Sequence, residues 1–329
     1  MSSSTTIRLG KSGLKVSRII LGCMTYGGGN WAGQNWLPDE EEAVKHIKYA
    51  YDAGIQTFDT ANMYSNGGSE EVLGRAIKQL NLPREEIVVM TKPQGALQPV
   101  SSVDKKIDQR NEKHIFDTVK ASLKRLQLDY IDVLQVHRYR EDYPMEELME
   151  ALHDVVKAGY VRYIGMSGCY AWQYYAINNR LTPFISMQDR HSLVYREEER
   201  EMFPTLEHFG VSSIPYHSLA RGILCRPFSQ QAATKRGEDA AKRSAKFLEA
   251  NPHVETIVNR VEEIAKKRDV SMAQVAIAWE LSKSVVAAPV VGTTKLENIK
   301  DIIEGVFLKL SEEETKYLEE PYRPMDLMI

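Results

Sequence analysis

The chain has 329 residues, 43% of them hydrophobic and 26% charged, with a formal net charge of −3, which is the profile of a globular protein able to bury a large core. There is no basic excess to meet a phosphate backbone, and the three cysteines, Cys23, Cys169 and Cys225, are too scattered for a disulfide framework or a CxxC metal site. The first residues form no apolar leader, and no later run approaches the ~18 apolar residues of a membrane span. A cytoplasmic protein with neither a membrane nor a nucleic-acid partner is expected.

A hairpin over Ile7–Val16 opens the chain. Apolar strand runs then alternate with helix-length amphipathic segments. Strand Ile19–Gly22 precedes helix Asp39–Ala53, Thr57–Asp59 precedes Ser69–Leu80, Ile87–Thr91 precedes Glu112–Leu126, and Val133–Val136 precedes Met145–Ala158. Tyr163–Met166 is followed by Ala171–Asn178, and Ile185–Met187 by Glu198–Phe209. After a seventh strand, Ser212–Tyr216, the stretch Arg221–Asn251 reads as a long loop with some helix around Glu238–Leu248. Helices Thr256–Arg268 and Ala273–Ser282, an eighth strand Val285–Pro289, and the extra helices Leu296–Glu304 and Glu312–Leu318 complete the chain. Strict βα alternation implies a parallel sheet, and eight strands close one. The expected architecture is α/β: a (β/α)8 TIM barrel with an N-terminal β-hairpin and extra C-terminal helices, one domain over residues 1–329.

Parallel barrels carry their reactive side chains at the C-terminal ends of strands. Four polar residues stand there: Asp59, Tyr64, Lys92 and His137. Singly, each has a plain reading: a loop cap, a loop aromatic, a solvated lysine and a hydrogen-bonded structural histidine. Together they solve one chemical problem, the protonation of an alkoxide as a hydride adds to a carbonyl carbon. An ammonium at Lys92 draws a phenol at Tyr64 below its usual pKa of ~10, and Asp59 pairs with Lys92. His137 adds a second donor toward the carbonyl oxygen.

The run Asp59-Thr-Ala-Asn-Met-Tyr64-Ser-Asn-Gly-Gly-Ser-Glu70-Glu-Val-Leu-Gly74 matches the signature D-T-A-x-x-Y-(x)4-S-E-x-x-L-G. Thr91-Lys92, Leu134-Gln135-Val136-His137-Arg138, Val161-Arg162-Tyr163-Ile164-Gly165-Met166-Ser167 and Ser186-Met187-Gln188 extend the match. From about Ile7 to about Leu318 the chain resembles the aldo-keto reductase superfamily, within it the fungal branch of aryl-alcohol dehydrogenase-like and versiconal hemiacetal acetate reductase-like members.

The resemblance implies a nicotinamide cofactor, NADPH with NADH as the alternative, and a small-molecule carbonyl substrate. By the same resemblance Ser167 and Gln188 hold the carboxamide and Tyr216 stacks under the ring. Where the family has a second polar residue after Ser167, this chain has Gly168, which removes one side-chain hydrogen bond. His217-Ser218-Leu219 stands where Ser-Pro-Leu is usual, leaving Leu219, Arg221 and Gly222 as cofactor-loop candidates. The adenosine end falls on Gly292, Thr293, Thr294, Lys295 and Asn298 at a helix N-terminus, which suits a phosphate, with Lys300 nearby.

Aromatic loops point to a flat or apolar carbonyl substrate: Met24, Tyr26, Trp31 and Trp36 after strand one, and Tyr139 and Tyr143 after strand four. Two rival readings are a non-catalytic NADP(H)-binding regulatory subunit of the same fold, and a metal-assisted hydrolase using Asp59, His137 and Asp189 or His191. The sequence leaves the oligomeric state open.

Overall fold

Runs of Val, Ile and Leu buried on both faces pair side by side, as parallel strands under covering helices must. The computed structural model describes residues 5–28, 36–93, 112–138, 144–167, 172–231 and 245–327. Strands β1 (Thr6–Arg8) and β2 (Lys15–Ser17) form an antiparallel hairpin with Ile7 opposite Val16. The barrel strands are β3 (Ile20–Gly22), β4 (Thr57–Asp59), β5 (Val88–Thr91), β6 (Ile131–Val136), β7 (Val161–Met166), β8 (Phe184–Met187), β9 (Ser212–Ser213) and β10 (Val290–Val291). They lie parallel in the order β10-β3-β4-β5-β6-β7-β8-β9, and bridges from Tyr216 to Val290 and from Ser213 to Val286 join the outer pair into a closed barrel.

The eighth strand differs from the sequence expectation of Val285–Pro289. Pro289 has no N–H for a ladder and contributes only its carbonyl, which accepts from Ile20, so the residues paired with β3 are Val290 with Ile20 and Val291 with Leu21. In the residues before Pro289, β9's Ser213 donates to the Val285 carbonyl and accepts from the Ala287 N–H, both at 2.9 Å, and the Val286 N–H turns back to the Lys283 carbonyl.

The helices are α1 (Glu40–Asp52), α2 (Gly68–Gln79), α3 (Glu112–Leu126), α4 (Met145–Lys157), α5 (Trp172–Asn178), α6 (Met202–Phe209), α7 (His253–Arg268), α8 (Met272–Glu280), α9 (Leu296–Gly305) and α10 (Glu312–Glu319). Their ends have local causes. Asp39 accepts the Glu42 N–H to start α1, above three glutamates that suit the helix's positive end. Ser311 and Glu314 form a reciprocal capping box on α10. Within the long loop after β9, the described residues 245–250 are helical.

The hairpin decides which end of the barrel works. Leu9 and Val16 pack with Ile20, Met90, Val133, Ile185, Ile214 and Ala288 in one apolar cluster inside the strands. Gly10, at φ +58°, lets the hairpin loop press on the strand starts: a Cβ there would sit 2.6 Å from the Ile185 carbonyl oxygen. With the N-terminal end plugged, the open end is the C-terminal one.

In the segment after β8 lies a buried charged cluster. His191 is fully buried, with Nδ1 2.5 Å from Glu280 and Nε2 3.1 Å from Glu199, its ring stacked on Trp279. Burial works against its charge, but the two carboxylates prevail and raise its pKa to about 9. Burial also pushes Asp189 well above the carboxylate range, keeping it a neutral acid, and raises Glu198 to about 6. Arg196 bonds Glu199 and Glu319, and Glu319 also accepts from Trp279 and Lys283, so the network reaches α10.

Since the folded His191 value of about 9 exceeds the ordinary 6.5, its stabilisation is complete below the lower figure and fades as pH rises through the higher. Urea unfolding should show stability falling between about pH 7 and about pH 10, and His191→Gln should flatten that slope.

Candidate active site

The first residues past each strand have left the ladder but remain anchored to it, so their side chains are aimed from rigid points. Asp59 ends β4, Lys92 follows β5 and His137 follows β6. Tyr64 opens a short 3-10 turn, Tyr64–Gly67, in which Ser65, Asn66 and Gly67 take φ of 48°, 53° and 93° and swing the chain into α2. The signature residues around them are joinery. The Thr60 and Ser69 hydroxyls bond at 2.8 Å, and Ser69 donates to the Cys23 carbonyl at 2.7 Å. Buried Glu70 accepts from Thr91 and Arg125, each at 2.6 Å. Gly74 lets α2 touch the end of α3, where a Cβ would lie 2.5 Å from the Leu126 carbonyl oxygen.

All four expected residues converge. Lys92 is fully buried; its Nζ donates to Asp59 Oδ2 at 2.5 Å and to the Thr60 carbonyl at 2.8 Å. The other Asp59 oxygen accepts from Gln135 Nε2 at 2.8 Å and Gln188 Nε2 at 3.1 Å, so both oxygens are committed to protein donors. Lys92 Nζ lies 5.3 Å from the centre of the Tyr64 ring, which meets the His137 ring edge-on at 5.9 Å. Among the described residues no three His, Cys, Asp or Glu side chains form a metal-holding group.

Electrostatics refine the roles. Burial works to depress Lys92, but Asp59 and Tyr64 raise it above its ordinary value, so it is an ammonium. The expected lowering of Tyr64 is overturned: burial raises the phenol above 10.0, outweighing the opposing pull of Lys92. Burial, with Lys92 and Arg138 adding to it, drops His137 to about 2, a neutral imidazole, and its Nδ1 is buried without a hydrogen bond.

Beside this group, Ser167 donates to the Gln188 carbonyl at 2.7 Å and accepts from Arg138 at 3.1 Å, and Arg138 lies 5.4 Å over the Tyr216 ring. Leu219, Arg221 and Gly222 follow in a turn where Arg221 and Gly222 take φ of 57° and 98°. Arg190 is depressed by burial and by its neighbour Arg221. Among the described residues none of Arg138, Arg190 and Arg221 forms an ion pair, which leaves a cationic wall with nothing to neutralise it. The remaining candidates gather at β10. Gly292 packs on Gly22, the Thr293 hydroxyl accepts from Asn298 at 2.8 Å and from the Lys295 N–H at 3.2 Å, and Thr294 and Lys295 lead into α9. Lys300 sits over the Tyr49 ring instead.

The aromatic pocket reads differently. Met24 is exposed and Trp36 half-buried at this end, whereas Tyr26 is not a pocket residue. It is fully buried in the main core, with its hydroxyl 3.3 Å from Nδ1 of His46 on α1. Trp31, Tyr139 and Tyr143 lie outside the described residues. The functional reading had no role for Gln135 and Arg138, although both stand within or beside the His137 motif; their strand-end positions were the available signal.

Removing the charge of Asp59 would strand a buried ammonium. Asp59→Asn should cost on the order of 3 kcal/mol of stability, measured by urea unfolding at neutral pH.

A family model described as the Aldo/keto reductase family matches residues 18–323. The chain is 44% identical to the versiconal hemiacetal acetate reductase of Aspergillus parasiticus, over 96% of each chain. It is 46% identical to a Schizosaccharomyces pombe protein named as an aryl-alcohol dehydrogenase, over 97% of this chain and 96% of the relative. It superposes with a TM-score of 0.76 and 25% identity on the crystal structure of a thermostable aldo-keto reductase in complex with the inhibitor epalrestat, covering 97% of this chain and 100% of that one. A closed parallel barrel with Asp59, Tyr64, Lys92 and His137 gathered at its open end, matched along nearly its whole length by such relatives, belongs to the aldo/keto reductase family of oxidoreductases.

Proposed function

We propose that this oxidoreductase reduces an aldehyde or ketone to the alcohol with NADPH, Tyr64 giving the proton, on a single barrel domain in the cytoplasm; NADH is the second choice of cofactor. The observation that carries the reading is the buried Lys92 ammonium, held on Asp59 and facing the Tyr64 ring.

The chain's donors suit such a cofactor. Tyr216 offers a flat face, Ser167 and Gln188 offer polar atoms beside it, and Arg190 and Arg221, which form no ion pair among the described residues, offer cations near Leu219 and Gly222 for a pyrophosphate. Gly292, Thr293, Thr294, Lys295 and Asn298 stand at the start of α9, with Lys295 exposed and placed to meet a 2′-phosphate. When bound, the reduced nicotinamide supplies the hydride.

The other steps belong to the protein. A phenol held neutral by burial is ready to donate, and it loses that proton only as the carbonyl oxygen becomes an alkoxide. At that moment the ammonium of Lys92 stabilises the tyrosinate, so its attraction acts mainly in the transition state. A neutral His137 protonated on Nε2 donates a second hydrogen bond to the same oxygen without competing for the proton. The substrate class we favour is a medium-sized, flat or apolar carbonyl compound. In support, the two fungal relatives carry names that refer to a hemiacetal acetate and to aryl alcohols.

Purified protein mixed with NADPH and a panel of aromatic and aliphatic aldehydes should consume the reduced cofactor, followed by its absorbance. Tyr64→Phe should cut turnover by about 100-fold or more while leaving NADPH affinity nearly intact; unchanged turnover would reassign the proton donor. Lys295→Ala should raise the KM for NADPH and spare that for NADH, and an equal effect on both would return the cofactor choice to open.

A further inference from the structure

Donor bookkeeping around Ser167 exposes a gap. The reading above gives the nicotinamide carboxamide to Ser167 and Gln188, and a carboxamide needs a donor for its oxygen as well as acceptors for its amino group. Ser167 spends its only proton on the Gln188 carbonyl at 2.7 Å. Gln188 spends its amide N–H groups on Asp59 at 3.1 Å and Gln135 at 3.3 Å. Both can still accept, and neither can donate. Gly168, next in the chain, has no side chain to contribute.

Among the described residues, Arg138 offers an uncommitted donor at this place. Arg138 reaches Ser167 Oγ at 3.1 Å and the His137 carbonyl at 3.3 Å, both through Nη1, and among the described residues Nη2 and Nε have no protein partner. Its guanidinium lies 5.4 Å over Tyr216, and its charge is felt by both Tyr64 and His137. Arg190 and Arg221 instead neighbour each other and Tyr216, and among the described residues Arg138 is the arginine that hydrogen-bonds Ser167. We propose that Arg138 is a positioning residue that donates to the carboxamide oxygen of the nicotinamide, completing the half of the subsite that Ser167 and Gln188 leave without a donor. The inference rests on the cofactor reading above and adds to it the residue that fixes the ring's rotation, and so which face presents its hydride to Tyr64's substrate.

The test is binding, not turnover. Affinities of wild type, Arg138→Met and Arg138→Lys are measured by titration for NADPH, for its thionicotinamide analogue, whose sulfur is a weak acceptor, and for 2′,5′-ADP, which lacks the nicotinamide half. Arg138→Met should weaken NADPH by about ten- to a hundredfold, the range for a hydrogen bond from a charged donor, and leave 2′,5′-ADP unchanged. Arg138→Lys should recover part of the loss, and the thionicotinamide analogue should show little difference between wild type and Arg138→Met. Equal weakening of NADPH and 2′,5′-ADP, or NADPH affinity untouched by Arg138→Met, would overturn the assignment while leaving the reductase reading in place. A wild type that binds no NADPH would overturn that reading and this one together.

Discussion

A lysine with no exposure to water must be neutralised where it stands, and the open end of this barrel is arranged around that necessity. Lys92 is held by Asp59, and the free oxygen of Asp59 is held in turn by Gln135 and Gln188. One carboxylate thereby ties together the ends of β4, β5, β6 and β8, from both sides of the barrel. A partly satisfied polar network in such a place would be worse than an apolar filling, so the amides are as necessary as the ion pair.

The same arrangement explains why the phenol stays protonated. Burial is the larger effect, raising the phenol against the pull of Lys92, and the Asp59 carboxylate adds to it. Asp59 also holds Lys92 as an ammonium beside the phenol. The result is an acid that waits, with its stabilising cation already in position when negative charge passes to the oxygen.

Much of this was legible in the residues. The signature from Asp59 to Gly74 is long because each fixed letter fills a steric or hydrogen-bonding need: Ser69 and Glu70 lock neighbouring strands and helices, and Gly74 permits a contact no side chain would. What misled were features whose meaning depends on distant partners. Tyr26 looked like a mouth aromatic until His46, twenty residues on, was seen to take its hydroxyl. The apolar run before Pro289 looked like a strand, but the ladder to β3 starts at the proline, whose carbonyl accepts from Ile20, and the paired residues are Val290 and Val291. Arg138 and Gln135 gain meaning only when strands far apart in sequence are set side by side. The acidity of Tyr64 turned on a balance between burial and charge that spacing alone does not reveal.

The ionic cluster after β8 carries a consequence for how the molecule is made. His191 and Arg196 leave the ribosome together with Glu199, which pairs with both, but long before Glu280 and Glu319, the second carboxylates of His191 and Arg196. Until α8 and α10 have been synthesised, the cluster after β8 has only its local ion pairs and lacks the carboxylates that complete it. The nascent chain can build its early βα units as they emerge, but the ionic cluster after β8 is completed only once synthesis is nearly over.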